Sequence, residues 1–123
     1  MHALEAAGLE RRGDRVASAL SHGEQRQLEI AMVLATQPKL LLLDEPLAGM
    51  GADEAARMVR LLKTLVTGHA ILLVEHDMDA VFAVADLITV MVNGQVLESG
   101  APDRIRASAA VQQAYLGDSE ISR

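Results

Sequence analysis

Short all-apolar runs alternate along the chain with longer stretches that repeat apolar residues every three or four positions, the pattern of an α/β fold. Leu40 to Leu43 is four leucines in succession, which suits a parallel-sheet strand buried on both faces. The run stops at Asp44-Glu45-Pro46, because proline has no N–H to give to a ladder. Ala70 to Val74 is a second apolar run and ends in Glu75-His76-Asp77. Between the two, Ala55, Met58, Val59, Leu62, Leu65 and Val66 mark one stripe of an amphipathic helix over 52–66. Asp53 and Glu54 open this helix and Lys63 lies near its end, matching the helix dipole, and Gly68 stops it. Strand, helix and strand form a βαβ unit. That unit brings Asp44, Glu45 and His76 to one edge of the sheet, where open α/β sheets take their ligands.

The flanking segments are shorter. A helical stretch covers 2–7 and stops at Gly8, and Leu9 to Ala19, with Arg11, Arg12, Asp14 and Arg15, reads as a solvated connection. Ser21 followed by Glu24 fits a capping box, worth about 1 kcal/mol. The helix it starts runs to about Gln37, with Leu28, Ala31, Met32 and Ala35 on one side, and Pro38 closes it. Asp77 can cap a helix over 78–85. A third strand follows over 87–92, and Asn93-Gly94 predicts a type I′ turn into a more polar edge strand over 95–99. Gly100 and Pro102 introduce a short helix, Ser108 caps a last one over 109–116, and 117–123 reads as a mobile tail. The expected organisation is one domain: 1–37 leading into the core, 38–100 holding its strands and helices, and 101–123 closing it.

Composition narrows the function classes. The chain has 123 residues, the size of one ordinary domain, and half of them are hydrophobic. With one Phe, one Tyr and no Trp, the core must be aliphatic. A formal net charge of −6 argues against nucleic acid or anionic lipid as the main partner. The absence of cysteine excludes disulfides and thiolate metal sites and fits a cytosolic setting. The amino terminus carries no signal-peptide pattern. The longest apolar region, 80–92, is broken by Asp86 and is too short to span a bilayer.

Three groups of residues are candidates for chemistry. Asp44, at a strand end, can hold Mg²⁺ directly or through water, and Glu45 can orient or deprotonate an attacking water. A buried strand followed by an acidic helix start is the lesser, purely structural account of the pair when it is taken alone. His76 ends the neighbouring strand, which favours a catalytic over a structural histidine, whereas His2, His22 and His69 read as surface residues. Ser21, His22, Gly23 and Glu24 open a helix with free amides, a hydroxyl and a positive dipole end, which suits phosphate. A well-capped helix is the plainer account of the same residues.

The order Leu20-Ser21-His22-Gly23-Glu24, then Leu40 to Pro46, then Glu75-His76-Asp77 resembles the carboxyl-terminal half of an ABC transporter ATPase subunit. Leu-Ser-His-Gly, Glu-Pro-Leu-Ala-Gly-Met, Val-Glu-His-Asp-Met and Ala-Tyr-Leu-Gly are similar in particular to branched-chain amino acid importers. Urea/amide importers and the lipopolysaccharide exporter have similar ATPases. The resemblance implies a partial P-loop NTPase (ABC ATPase) fold, with parallel strands and a C-terminal antiparallel hairpin. It implies that Ser21 to Glu24 form the signature that meets the γ-phosphate of ATP on the opposite subunit. By the same resemblance, Asp44 is the Walker B aspartate serving Mg²⁺, Glu45 the water-activating glutamate and His76 the switch histidine. Leu47 to Gly51 is then the loop that crosses the dimer interface. The implied cofactors are ATP and Mg²⁺. The implied partners are a second ATPase subunit and transmembrane permease subunits, at the cytoplasmic face of the membrane, with no nucleic acid and no membrane insertion. His22 stands where the family mostly has glycine, Glu24 where it mostly has glutamine, and Gly51 where many relatives have aspartate.

One family element is missing. No G-x-x-x-x-G-K-[ST] phosphate loop occurs: the chain has two lysines, and Lys63-Thr64 is preceded by Arg57 and Leu62 where glycines are required. The chain therefore reads as part of a longer ATPase, with weak or absent ATP binding of its own. A non-enzymatic module that offers its signature to a partner is the alternative. DNA-repair ATPases carry similar motifs, but the acidic balance and the lack of heptads argue against them. Without the phosphate-loop strand, 70–74 and 87–92 are expected to flank a gap. The expected repair is that the 87–99 hairpin moves against 70–74, or that strands are exchanged in a homodimer.

Overall fold

A computed structural model describes residues 2–7, 9 and 21–121. Gly8 and nearly all of the expected connection over 9–19 lie outside the described residues. The elements in order are α1 (His2–Ala6), α2 (His22–Leu34), β1 (Leu40–Asp44), α3 (Ala52–Leu65), β2 (Ala70–Val74), α4 (Met78–Val84), β3 (Ile88–Val92), β4 (Gln95–Gly100), α5 (Pro102–Ala107) and α6 (Ala109–Ile121). The chain divides into two compact units, residues 1–84 and 85–123.

In the first unit, β1 and β2 pair in parallel, with Leu40 opposite Ala70 and Asp44 opposite Val74. Helix α3 connects them and buries Met58, Leu62 and Leu65 of the expected stripe together with Leu61, which was not expected, whereas Val66 is exposed. These residues meet Leu41 of β1, Ile30 and Leu34 of α2, Leu47 and Ala80 in one aliphatic core. Helix α2 buries Gly23, Ile30, Ala31 and Leu34, so its core stripe is offset from the expected one, and Met32 is 66 % exposed. It also ends earlier than expected. Gln37 takes a left-handed φ of 56°, and its N–H reaches the Leu34 carbonyl at 2.9 Å, closing the helix before Pro38. Leu9, expected in a solvated connection, is buried, and its N–H donates to the Leu4 carbonyl at 2.8 Å.

Burial of β1 and β2 on both faces is not what the structure shows. Leu41, Leu43, Ile71 and Leu73 face the core, while Leu42 is 68 % and Leu72 59 % exposed. The strands follow the period-two rule, and among the described residues only the α3 side of the sheet is covered. The expected repair by the hairpin is also corrected. Among the described residues, β2 pairs with β1 alone, and β3 pairs with β4 in a two-stranded antiparallel sheet. A hairpin satisfies its own inner ladder through its turn, so it needs no third strand to form.

The second unit is built on that hairpin. Asn93 and Gly94 have φ of 51° and 78°, as a type I′ turn requires. The register slips between Val90 and Met91, where one extra residue on β4 forms a bulge. Thr89 and Ser99 hydroxyls are 2.9 Å apart across the strands, and Arg104 pairs with Glu98 at 3.0 Å. Ile88, Ile105 and Val111 are buried apolar residues of this unit. The Ser108 hydroxyl accepts from the Val111 N–H, as a cap should. Helix α6 continues to Ile121, past the Gly117 at which a tail was expected. No helix among the described residues is long and apolar enough to cross a membrane.

Candidate functional site

The site lies where β1 and β2 end. Their register sets Asp44 beside Val74, so the next residues of both strands leave the sheet together. Glu45 turns out of the ladder with a left-handed φ of 47°, a conformation unusual for a residue with a Cβ. Its N–H still donates to the Val74 carbonyl at 2.7 Å, and its carbonyl accepts from the Ala48 N–H at 3.1 Å. The reversal carries the Glu45 carboxylate to His76, whose Nδ1 lies 2.9 Å from Glu45 Oε1. Two of the residues expected at the site are thus in direct contact, although 31 positions separate them in the chain.

Glu75 joins them, and the sequence reading passed over it. Its side chain is 0 % exposed, whereas that of His76 is 76 % exposed. The Leu47 N–H donates to Glu75 Oε2 at 3.3 Å, and the His76 N–H donates to Oε1 at 3.0 Å. Oε1 also lies 3.4 Å from His76 Nδ1. A buried carboxylate is costly unless hydrogen bonds compensate it, and two backbone amides do so here. The signal was available in the alternation of β2. Ile71 and Leu73 face the core, so position 75 falls on the core side and His76 on the open side.

Asp44 is exposed at the mouth of an open cleft of about 200 Å³ that Arg26, Glu29, Val33, Leu42 and Pro46 also line. A carboxylate oxygen at a strand end fits one position in the oxygen shell of a hard cation such as Mg²⁺. Among the described residues, Glu45, Glu75 and His76 also bring three ligand atoms within 4.8 Å of one another. That set mixes nitrogen with oxygen, which suits Mg²⁺ poorly, and internal hydrogen bonds already engage its atoms.

Ser21 forms the complete capping box. Its hydroxyl accepts from the Glu24 N–H at 3.1 Å, and its own N–H donates to Glu24 Oε1 at 3.2 Å. Gly23 is buried against Glu54, whose Cδ would lie 3.1 Å from an added Cβ. Apart from its place in the helix-start motif, His22 was expected to be a surface residue. It is exposed, but its Nε2–H donates to the Ala48 carbonyl at 3.1 Å, and its ring packs on Gly49, which has φ +76°. The helix start and the 47–51 loop are therefore tied together. His69 also departs from the surface expectation. It is half-buried, and its Nδ1–H donates to the Leu65 carbonyl at 3.1 Å, closing the end of α3.

A strand ending in Asp-Glu, a neighbour ending in a histidine bonded to that glutamate, and a capped Ser-x-Gly helix start are now located in one unit. Comparison with known proteins agrees with this set. The ABC transporter family model matches residues 1–48. The high-affinity branched-chain amino acid transport ATP-binding protein LivG of Escherichia coli (strain K12) is 44 % identical over 117 residues, 94 % of this chain and 46 % of LivG. The chain belongs to the ABC transporter ATPase family. BraF of Pseudomonas aeruginosa, which has the same descriptive name, is 40 % identical over 95 % of this chain and 47 % of its own length. The solved ADP conformation of MJ1267, an ATP-binding cassette of an ABC transporter, superposes with a TM-score of 0.80 at 31 % identity. It covers 94 % of this chain and 48 % of that one. The chain thus spans about half the length of the relatives it matches, and it corresponds to their carboxyl-terminal half.

Proposed function

We propose that this chain supplies the signature and the hydrolytic carboxylates of an ATPase subunit that couples ATP hydrolysis to transport, in an importer of branched-chain amino acids. The contact between Glu45 and His76 across the ends of two parallel strands carries this reading, and the names of LivG and BraF support the substrate class. In this reading Glu45 takes the proton of the attacking water, Asp44 serves Mg²⁺ and His76 faces the γ-phosphate. Ser21, His22, Gly23 and Glu24 meet the ATP of a second ATPase subunit at the positive dipole end of α2. Bound Mg²⁺ would neutralise charge on the phosphates. The partners are that second subunit and the permease, at the cytoplasmic face of the membrane. For the chain alone, the free edge of β2 is where a second copy would exchange a strand.

With no phosphate loop in its sequence, the isolated chain is expected to bind ATP weakly and to show no turnover above background. Joined to the amino-terminal half of LivG, it should hydrolyse ATP. Glu45→Gln should then lower the rate by about 10²–10⁴-fold while sparing ATP binding, and His76→Ala should also lower it. Unchanged turnover in both variants, or Mg²⁺-dependent turnover by the isolated chain that Glu45→Gln abolishes, would overturn the reading.

A further inference from the structure

The environment of His76 Nδ1 has a consequence for its other nitrogen. Nδ1 is 2.9 Å from Glu45 Oε1 and 3.4 Å from Glu75 Oε1. Carboxylate oxygens accept and do not donate. Each oxygen of Glu75 receives a backbone N–H, from Leu47 and from His76 itself, so both serve as acceptors, as in an ionised carboxylate. The proton of the Nδ1···Glu45 hydrogen bond therefore sits on Nδ1. We infer that Glu75 is a positioning residue that, with Glu45, holds neutral His76 as its Nδ1–H tautomer and presents Nε2 as a bare lone pair.

This deepens the reading given above, on which the phosphate-facing role of His76 rests. A bare Nε2 accepts hydrogen bonds and repels a fully deprotonated phosphate oxygen. What it receives must bring an O–H, either the attacking water or a phosphate hydroxyl. Glu75 differs from Glu45 in that its side chain is out of contact with solvent and reaches none of this chemistry itself. It acts by fixing which nitrogen of the ring carries the proton. Its bond to Leu47 also fixes the first turn of the 46–50 loop to the same carboxylate.

The test uses the chain itself, ¹⁵N-labelled and without nucleotide, at a pH about two units above the usual histidine value of ~6.5. Long-range ¹H–¹⁵N correlation distinguishes the two tautomers of each ring. Two other histidines serve as internal references. His69 donates through Nδ1 to the Leu65 carbonyl, and His22 donates through Nε2 to the Ala48 carbonyl. His76 is assigned by the signals lost in His76→Gln. It should show the Nδ1–H pattern of His69, opposite to the Nε2–H form that a solvated neutral imidazole prefers. Glu75→Gln replaces one acceptor oxygen with an amide donor, and Glu75→Asp keeps the charge but shortens its reach. Both should shift His76 toward the Nε2–H form while leaving His22 and His69 unchanged. An Nε2–H pattern in the unaltered chain overturns the inference, as does a wild-type pattern in both Glu75 variants. The measurement needs no ATP, so its failure would leave the hydrolase reading standing, and a failed ATPase assay would leave the tautomer result standing.

Discussion

Glu45 joins a strained backbone to a reactive side chain, and the two can be separated by comparing alanine with glycine at this position. Its φ of 47° lies in the left-handed region. A residue with a Cβ is disfavoured there by about 1–2 kcal/mol. Glycine escapes that cost but loses more unfolded-chain freedom, about 0.5–1 kcal/mol. Glu45→Ala and Glu45→Gly both remove the carboxylate that reaches His76 at 2.9 Å, so the side-chain contribution cancels between them. The glycine variant should therefore be the more stable of the two by roughly 0.5–1 kcal/mol. For a unit of this size that corresponds to roughly 2–8 °C in Tm. In a helix the order is reversed, with alanine better by about 1 kcal/mol, so the sign is diagnostic. Thermal and urea unfolding of the three proteins, followed by far-UV circular dichroism, measures it. An alanine variant as stable as the glycine variant, or more stable, would show that position 45 is not held in a left-handed conformation. The strain would then be no part of how the carboxylate is aimed.

Two other expectations follow from the same geometry. Gln37 closes α2 with φ 56°, so Gln37→Gly should stabilise the chain by up to about 1 kcal/mol, read as a higher urea midpoint at unchanged m-value. His22→Ala removes the bond to the Ala48 carbonyl. Faster amide exchange should then appear at Ala48 and Met50, with a loss in global stability of no more than about 0.5–1.5 kcal/mol, because the bond is exposed.

Much of this arrangement is legible in the sequence. The apolar runs over 40–43 and 70–74, the stripe of α3, the Ser21–Glu24 box and the Asn93-Gly94 turn each carry a local signal strong enough to decide their element. The convergence of Glu45 and His76 followed from strand polarity alone. What stayed hidden depends on tertiary context. Four leucines in a row do not say which face will be covered, and here Leu40 and Leu42 are exposed. The core stripe of α2 was misplaced because apolar residues occur nearly all round that helix, so its pattern does not single out one face. Glu75 was overlooked because an ionisable residue after a strand reads as a return to solvent, although alternation along β2 points it inward. The ties of His22 to Ala48 and of His69 to Leu65 depend on side-chain reach, which a sequence pattern does not encode.

The placement of Glu45, Glu75 and His76 follows from few determinants. Five residue pairs set the parallel register, from Leu40 with Ala70 to Asp44 with Val74. One left-handed residue then aims Glu45, and the alternation of β2 aims Glu75 and His76 in opposite directions. A slip of β2 by one residue would exchange the faces of the whole strand. It would put His76 into the aliphatic core and Glu75 into solvent, breaking the contacts with Glu45 and with the Leu47 amide together. What resists the slip is the burial of Leu41, Ile71 and Leu73 against α3, because their neighbours Leu42 and Leu72 gain nothing from the open face. The one-sided burial of this sheet is thus what indexes the carboxylates and the histidine. All of these contacts lie within residues 1–84.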